Sequence, residues 1–193
     1  MSDLREATAT IQNPGAIAAI PTDTVYGVVA RANDPQAVER LYKLKQRDNK
    51  PGTVIAASIE QLEELGLKHR YLTAVEQYWP APLSVVIPCG PELEYLHRGL
   101  HSLAVRIPNN TELQSLLKQT GPLLTSSANH PGEPPANTVA EAKKYFSDEV
   151  DYYADGGDLS GHEPSTVIRI VDDAIEILRP GAVHIDETGK VTK

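Results

Sequence analysis

The sequence has one cysteine, Cys89, among its 193 residues. An internal disulfide is therefore excluded, and so is a zinc site built from several cysteines. No stretch approaches the roughly 18 consecutive apolar residues that a membrane-spanning helix needs. The first residues include acidic side chains and lack the apolar core of a signal peptide. Together these absences predict a cytoplasmic protein.

Positive charge is also scarce, with 18 Lys and Arg residues against 26 Asp and Glu and a formal net charge of −8. Holding nucleic acid by bulk electrostatics needs many cationic contacts to phosphates, so direct binding of a nucleic acid has weak support. A nucleotide can still bind where a few cations converge. His97 and His101 have the spacing of one helix face, but the residues between them favour a loop, and no metal site is predicted.

The residues that are present form the pattern of an α/β protein. The length fits one domain, and we predict a single domain over residues 1–193 with a core at about 5–185 and a short C-terminal tail. Strands interleaved with helices predict a twisted sheet flanked by helices, and 15 prolines favour a mixed sheet with irregular edges. The strand candidates, which are apolar runs bounded by Gly or Pro, are 16–21, 53–57, 83–88, 102–107, 122–125, 165–171 and 175–178.

Helix ends are readable between these strands. Asp34 is the predicted N-cap of a helix that begins at Pro35. Ser58 and Gln61 form a capping-box pattern. Two further helices are predicted, of which one begins near Asn110 and the other runs over about 138–146.

Small polar side chains follow the first strand candidate, where residues 21–27 read Pro-Thr-Asp-Thr-Val-Tyr-Gly. Ligands of open α/β sheets bind in the crevice beyond the strand ends, so Thr22, Asp23 and Thr24 are candidates to line one. The alternative is a helix N-cap followed by inward packing of Val25. The local sequence does not separate the two.

Two cations, Lys45 and Arg47, come where the helix that begins at Pro35 must end. Breakers at 48–52 predict that the helix unwinds near Lys45, and residues two apart share a face in extended chain. Such a pair can hold a polyphosphate, with Arg as a bidentate fork and Lys as a point charge. The alternative is the general preference for cations at a helix C-terminus.

A third candidate group follows strand candidate 122–125. Thr125, Ser127 and Asn129 alternate, so an extended path places them on one face. These neutral donors and acceptors can bind a phosphate or an amino acid. The alternative is an ordinary turn rich in Ser and Asn.

A fourth group lies in the remaining strand candidates. Ser102 and Arg106 share one face of 102–107, and Arg106 either forks onto a carboxylate in a pocket or points to solvent. Ser165 and Arg179 lie at the edges of the last two strand candidates. Taken one at a time, none of these groups identifies a function.

Taken in order, the motifs resemble those of the YrdC-type threonylcarbamoyl-AMP synthase family. They read Pro-Thr-Asp-Thr-Val-Tyr-Gly, Lys-x-Arg, Ala-Val-Arg, Ser-x-Asn, Ser-Thr-Val and Arg-Pro-Gly, and segments 79–83 and 154–157 add to the match. The resemblance covers about residues 16–182. It implies a twisted α/β fold with a large concave cavity in which ATP and threonine bind together.

The resemblance also implies an activity and a site. The enzyme would be a nucleotidyltransferase that makes L-threonylcarbamoyladenylate and pyrophosphate from L-threonine, bicarbonate and ATP, for threonylcarbamoyladenosine at position 37 of tRNA. Mg²⁺ would enter on the ATP phosphates without an all-protein metal site, and the product would pass to a separate tRNA threonylcarbamoyl-transfer complex. By position, the threonine contacts would be Thr24, Arg106, Thr125 and Ser165. The contacts to ATP, with Lys45 and Arg47 as the catalytic pair, would be Lys45, Arg47, Ser102, Ser127, Asn129 and Arg179.

Two departures and two competing interpretations remain. Many members have Arg-Pro after the lysine of the Lys-x-Arg motif, whereas here Asp48 follows Arg47. Ala56 or Ala57 stands where many have a histidine that contacts threonine. The first alternative is an RNA-binding YrdC-like paralogue in ribosome or tRNA maturation with little or no catalysis, which the net charge and the paired Lys-x-Arg and Ser-x-Asn motifs disfavour. The second is a carbamoyl-adenylating domain like those of hydrogenase maturation proteins, which the single cysteine disfavours.

Overall fold

The structure, a computed structural model, describes residues 4–46, 50–172, 174–186 and 190–192. Helices and strands alternate along it. The α-helices are α1 (Leu4–Ile11), α2 (Pro35–Leu44), α3 (Ile59–Glu64), α4 (His69–Thr73), α5 (Glu94–His97), α6 (Thr111–Thr120) and α7 (Val139–Phe146). The strands are β1 (Ile17–Ile20), β2 (Gly27–Arg31), β3 (Thr53–Ile55), β4 (Leu83–Pro88), β5 (Ser102–Arg106), β6 (Leu123–Ser127), β7 (Tyr152–Tyr153), β8 (Thr166–Val171), β9 (Ala174–Arg179), β10 (His184–Ile185) and β11 (Val191–Thr192).

Nine of these strands form one mixed sheet in the order β7-β1-β2-β6-β3-β5-β4-β8-β9, and β10 pairs with β11 separately. The pairs β1–β7, β3–β5 and β4–β8 are parallel. The pairs β1–β2, β2–β6, β3–β6, β4–β5 and β8–β9 are antiparallel. The mixed, twisted α/β sheet predicted from the sequence is confirmed.

Apolar side chains cover both faces of the sheet. In β1, Ile17 and Ala19 belong to a first core cluster on one face of the sheet, whereas Ala18 and Ile20 belong to a second cluster on the other face. The second cluster includes the buried stripes of α1 and α6, and the first includes those of α2 to α5 and α7. Helices therefore flank the sheet on both sides, and the central strands are buried on both faces.

The strand predictions are confirmed for β1, β3, β4, β5, β6, β8 and β9, with ends that differ by a few residues at most. The interpretation of the segment after Val25 as helical is wrong, because Gly27–Arg31 forms β2. Val28 and Ala30 pack into the first core cluster and Val29 into the second. A strand buried on both faces lacks the alternation of polar and apolar residues that marks a strand in a sequence.

The helix ends that support the site follow the predicted capping. Asp34 caps α2 by accepting hydrogen bonds from the N–H groups of Gln36 and Ala37, and α2 ends at Leu44 with Lys45 as its C-cap. Asn110 caps α6 by accepting from the N–H of Leu113. These caps place Lys45 beyond the end of α2 and set the start of α6 shortly after the end of β5.

Candidate functional site

One cavity of about 200 Å³ is lined by the polar residues that end or begin several strands of the sheet. Residues of β2, β3, β5 and β6 contribute one part of its lining, and residues of β8 and β9 contribute another. Because β4 lies between β5 and β8 in the sheet, the sheet must curve to bring them together. The lining residues are Thr22, Thr24, Val25, Tyr26, Gly27, Pro51, Gly52, Thr53, Ala104, Arg106, Thr125, Ser126, Ser127, Pro164, Ser165, Val167 and Arg179.

Two glycines let the backbone approach Thr125 closely in this cavity. A Cβ atom at Gly27 would lie 2.6 Å from Thr125 Oγ1, and one at Gly52 would lie 2.5 Å from the Thr125 carbonyl oxygen. Real Cβ atoms do not approach other heavy atoms this closely, so any side chain at either position would displace Thr125. The glycine of the first motif thus has a packing reason to be there.

Arg106 at the end of β5 is paired with Asp23 in the interior. Arg106 Nη2 donates to Asp23 Oδ1 at 2.9 Å, and the two side chains are 4% and 3% exposed. Desolvation raises the pKa of the Asp23 carboxyl, although the charge of Arg106 opposes the shift. Desolvation likewise lowers the pKa of Arg106. In both cases the cause is burial, which disfavours the charged form.

Threonine hydroxyls stand beside this ion pair. Thr22 Oγ1 donates to the carbonyl of Val25 at 2.7 Å and lies 3.0 Å from Thr24 Oγ1. Since the Thr22 proton is used by that carbonyl, the Thr24 hydroxyl is the donor between the two. The backbone N–H of Thr24 also donates to Thr22 Oγ1 at 3.1 Å. These bonds fix the turn that carries Asp23.

Lys45 lies behind the cavity wall at the end of β6. It is 1% exposed, and its Nζ donates to the carbonyl of Ser127 at 2.6 Å, to the Asn129 carbonyl, and to Asn129 Oδ1 at 3.0 Å. Ser127 Oγ donates to Asn129 Oδ1 at 2.6 Å. The ammonium therefore orders the turn that presents Ser127 to the cavity, and it places a positive charge next to that wall.

Ser165 and Arg179 form the opposite part of the lining. Arg179 donates from Nε and Nη2 to the carbonyl of Ser165, at 3.1 and 2.7 Å, and from Nη2 to Ser165 Oγ at 3.0 Å. Ser165 Oγ also lies 3.0 Å from Oγ of Ser84, a buried residue of β4. A guanidinium and a hydroxyl are thus held together at the cavity edge.

The structure brings most of the predicted site residues to this cavity. Thr24, Arg106, Thr125, Ser127, Ser165 and Arg179 line it, and Lys45 and Asn129 contact Ser127 from behind. Ser102 lies apart, because it begins β5, roughly 13 Å along the strand from Arg106 at about 3.3 Å per residue, where it pairs with Pro88. Arg47 lies outside the described residues.

His97 has a structural role. Its Nε2 contacts the carbonyl of Gly90 at 3.2 Å, and its Nδ1 accepts from the N–H groups of Gly99 and His101. Both ring nitrogens are therefore used within the loop. Within the described ranges, no group of three or more His, Cys, Asp or Glu side chains is placed to hold a metal ion.

From the sequence, Asp23 was predicted only to line a crevice with Thr22 and Thr24, and its pairing with Arg106 was not predicted. Nothing in the spacing relates Asp23 to Arg106, because the strand that ends near Asp23 and β5 are distant in sequence. Ser84, which contacts Ser165, was also missed, since a single serine in an apolar strand carries no signal of its own. None of the described helices is long and apolar enough to cross a membrane.

Residues 10–181 match the Sua5/YciO/YrdC family, described as telomere recombination. Among curated proteins, the chain is 31% identical over 173 residues to the threonylcarbamoyl-AMP synthase of Bacillus subtilis strain 168, covering 86% of this chain and 50% of that protein. It is 34% identical over 179 residues to the threonylcarbamoyl-AMP synthase of Pseudomonas aeruginosa strain UCBPP-PA14, covering 91% of this chain and 96% of that protein.

Among solved structures, P. abyssi Sua5 complexed with L-threonine matches with a TM-score of 0.84 at 30% sequence identity, covering 96% of this chain and 56% of that chain. The chain therefore spans about half the length of the Bacillus and P. abyssi proteins and nearly all of the Pseudomonas protein. Since the family match extends over most of the residues, including every motif around the cavity, the chain belongs to the Sua5/YciO/YrdC family.

Proposed function

We propose that the chain is a threonylcarbamoyl-AMP synthase, which forms L-threonylcarbamoyladenylate and pyrophosphate from L-threonine, bicarbonate and ATP. The observation that carries the proposal is the polar cavity in which Arg106 stands beside the hydroxyls of Thr24, Thr125 and Ser165. A guanidinium binds a carboxylate through charge-assisted hydrogen bonds, and hydroxyls can accept from an amine or donate to an oxygen. These groups suit a small zwitterion such as threonine.

The size of the cavity supports an amino acid as the enclosed ligand. At about 200 Å³, it lies below the roughly 300–1,000 Å³ of pockets that enclose a drug-sized ligand. ATP would therefore extend past the enclosed part, toward Ser127, Asn129 and Arg179. Lys45 supplies positive charge beside Ser127, and Arg47 is the second proposed phosphate contact. Ser102 is assigned to ATP only by the family resemblance.

The proposed reaction has two steps. The threonine amine attacks bicarbonate, and a carbamate forms with loss of water. A carbamate oxygen then attacks the α-phosphate of ATP, a P–O bond to it forms, and pyrophosphate leaves with the electrons of the broken bond. The chain's contribution is to hold the two substrates in line and to offset negative charge on the triphosphate. Mg²⁺ would be carried by the phosphates.

In the cell, the product would serve threonylcarbamoylation of tRNA at position 37. A mixed anhydride of a carbamate and a phosphate is readily hydrolysed, so a separate transfer complex in the cytoplasm would have to accept it promptly. The net charge of −8 gives no support to a large tRNA-binding surface on this chain.

The proposal is tested by pyrophosphate release from purified protein with ATP, Mg²⁺, bicarbonate and single amino acids. Release should require both bicarbonate and L-threonine, because the carbamate is the nucleophile. L-serine and L-valine, which each lack one group of the threonine side chain, measure how selective the cavity is. Release without an amino acid, or no release at all, would defeat the proposal.

A matched pair of lysine variants separates the contribution of the buried Lys45 ammonium from a general effect of charge. Lys45→Met removes the buried ammonium beside Ser127 and should lower turnover by about 10-fold or more, since the turn that presents Ser127 loses its charge-assisted hydrogen bonds and the cavity wall loses a positive charge. Lys43→Met removes an ammonium from the last turn of α2, two residues before Lys45, whose side chain is 75% exposed, and turnover should stay at the wild-type rate.

A further inference from the structure

We propose that Asp23 is a positioning residue, which holds the guanidinium of Arg106 in the orientation that receives the carboxylate of the amino acid substrate. The inference rests on the proposed function, because it takes Arg106 as the carboxylate contact. It adds a residue that reaches the substrate only through another side chain. Four observations support it.

The first observation is where the two side chains lie. Arg106 lines the main cavity, whereas Asp23 lines a second hollow of about 300 Å³, together with Asn109, Asn110 and Glu112. Thr22 lines both. The ion pair thus separates the two hollows, and Asp23 holds Arg106 from the side away from the main cavity.

The second observation is that the pair is only partly hydrogen-bonded. One bond joins Arg106 Nη2 to Asp23 Oδ1 at 2.9 Å. In the described part of the chain, Arg106 Nε and Asp23 Oδ2 are buried with no hydrogen-bonding partner. A guanidinium has five N–H donors, so a single anchoring bond leaves donors for a ligand.

The third observation is that burying this ion pair is energetically unfavourable. Taking two charges out of water is repaid only by excellent geometry and full hydrogen bonding, and this pair has neither Nε nor Oδ2 satisfied. A pair of this kind adds little stability compared with apolar residues of similar volume. Its presence in the wall of the main cavity is explained by a role in ligand binding.

The fourth observation is that the backbone of Asp23 is fixed on both sides. Thr22 Oγ1 accepts from the N–H of Thr24 and donates to the carbonyl of Val25. Asp23 therefore sits inside a hydrogen-bonded turn, and its side chain, which is 3% exposed, is held by the surrounding packing. A fixed carboxylate fixes the guanidinium, and binding groups held in advance avoid the entropy cost of ordering when the ligand arrives.

This arrangement has a measurable consequence. The ion pair has no net charge, so it attracts a carboxylate weakly at long range and selects it by the direction of the remaining N–H donors. Asp23 should therefore matter most for ligands that carry a carboxylate. L-threoninol, in which a CH₂OH group replaces the carboxylate of L-threonine, keeps the amine, the side chain and nearly the same size.

The test is equilibrium binding of L-threonine and L-threoninol, measured by calorimetry with ATP absent. Wild-type protein should prefer L-threonine by about 10- to 100-fold, the ratio expected for charge-assisted hydrogen bonds to a carboxylate. In Asp23→Asn that preference should fall toward one, while the affinity for ATP, measured separately, stays as in the wild type. Asp34→Asn, the same change at another largely buried aspartate, should keep the wild-type preference.

The remaining outcomes decide against the inference. If Asp23→Asn retains the preference, Asp23 does not orient Arg106 for the ligand. If the preference increases, Asp23 only competes with the ligand for the guanidinium. If the wild type does not bind L-threonine, the proposed function fails, and this inference fails with it. Should Asp23→Asn not fold, Asp23→Glu moves the carboxylate by one methylene group and should reduce the preference in the same assay.

Discussion

Two aspartates near the start of the chain are both largely buried, and their surroundings differ. Asp34 at the N-terminus of α2 accepts from the N–H groups of Gly15, Gln36 and Ala37, at 2.8, 3.1 and 3.1 Å. Burial would raise its pKa, but these hydrogen bonds lower it. Asp23 has one side-chain partner, Arg106; desolvation raises its pKa and outweighs the charge of Arg106 and the backbone N–H groups of Asp23 and Asn109, which lower it.

The difference supports a structural role for Asp34 and the proposed positioning role for Asp23. At Asp34 the backbone supplies enough donors to make the ionised form the favourable one, so the residue stabilises the start of α2. At Asp23 an oxygen is left without a hydrogen bond, and the ionised form is penalised. Buried polar groups that are left unsatisfied need an explanation other than stability, and the cavity beside Arg106 provides it.

The largest expected effect comes from splitting the ion pair. Arg106→Met alone or Asp23→Asn alone leaves one buried charge without its partner, which should lower the free energy of unfolding by about 3–5 kcal/mol. The double variant Asp23→Asn with Arg106→Met leaves no buried charge and should recover most of that loss. Urea unfolding followed by circular dichroism measures all four proteins.

The stabilities of these four proteins test the contrast between Asp23 and Asp34. A double variant as unstable as the sum of the two single variants would mean that the pair is not coupled, and that the contrast with Asp34 is wrong. A double variant that recovers stability but does not bind L-threonine would support the contrast, because the ion pair would then be needed for the ligand and dispensable for the fold.

The fold was largely predictable because its signals are local. The cap at Asp34, the proline at the first position of α2 and the short β-branched runs each depend on a few neighbouring residues. β2 was missed because Val28, Val29 and Ala30 are buried on both faces, and the periodicity that distinguishes a strand from a helix is absent there. The order of the strands depends on long-range pairing, which no local pattern encodes.

The candidate site was predicted only in part, because its residues carry a sequence signal but most of their contacts do not. Its residues were recognised through the order of the motifs, and the structure gathers Thr24, Arg106 and Ser165 at one cavity. The contact of Asp23 with Arg106 joins residues 83 positions apart, and the contacts of Lys45 with the turn at Ser127 join residues 82 apart. Such partners are determined by the sheet topology, so a sequence without an alignment does not reveal them.

A smaller effect is expected from Asp34→Asn. The amide keeps one oxygen for the N–H groups of Gln36 and Ala37, and Asn is as good an N-cap as Asp. However, its NH₂ group would face the N–H of Gly15, which now bonds to Asp34 Oδ2. Losing that bond should lower the free energy of unfolding by about 1–2 kcal/mol, measured by urea unfolding at neutral pH. Pyrophosphate release should be unchanged, and a variant that loses activity while staying folded would contradict the structural role of Asp34.

The smallest effect, and the one that tests the contrast most directly, is how each aspartate's contribution to stability changes with pH. The folded-state pKa of Asp34 lies below its ordinary 3.8, so its contribution is present above that value and is lost as the pH falls through the folded-state pKa. The folded-state pKa of Asp23 lies above 3.8, so its contribution is present below 3.8 and is lost as the pH rises through the folded-state pKa.

The two aspartates should therefore give pH slopes of opposite sign. Between about pH 6 and pH 3, the stability of the wild type relative to Asp34→Asn should decrease as acid is added. Over the same range, its stability relative to the Asp23→Asn, Arg106→Met double variant should increase. Urea unfolding at several pH values measures both differences. Slopes of the same sign would mean that backbone hydrogen bonds stabilise the Asp23 carboxylate as they do that of Asp34, and Asp23 would then be a structural residue.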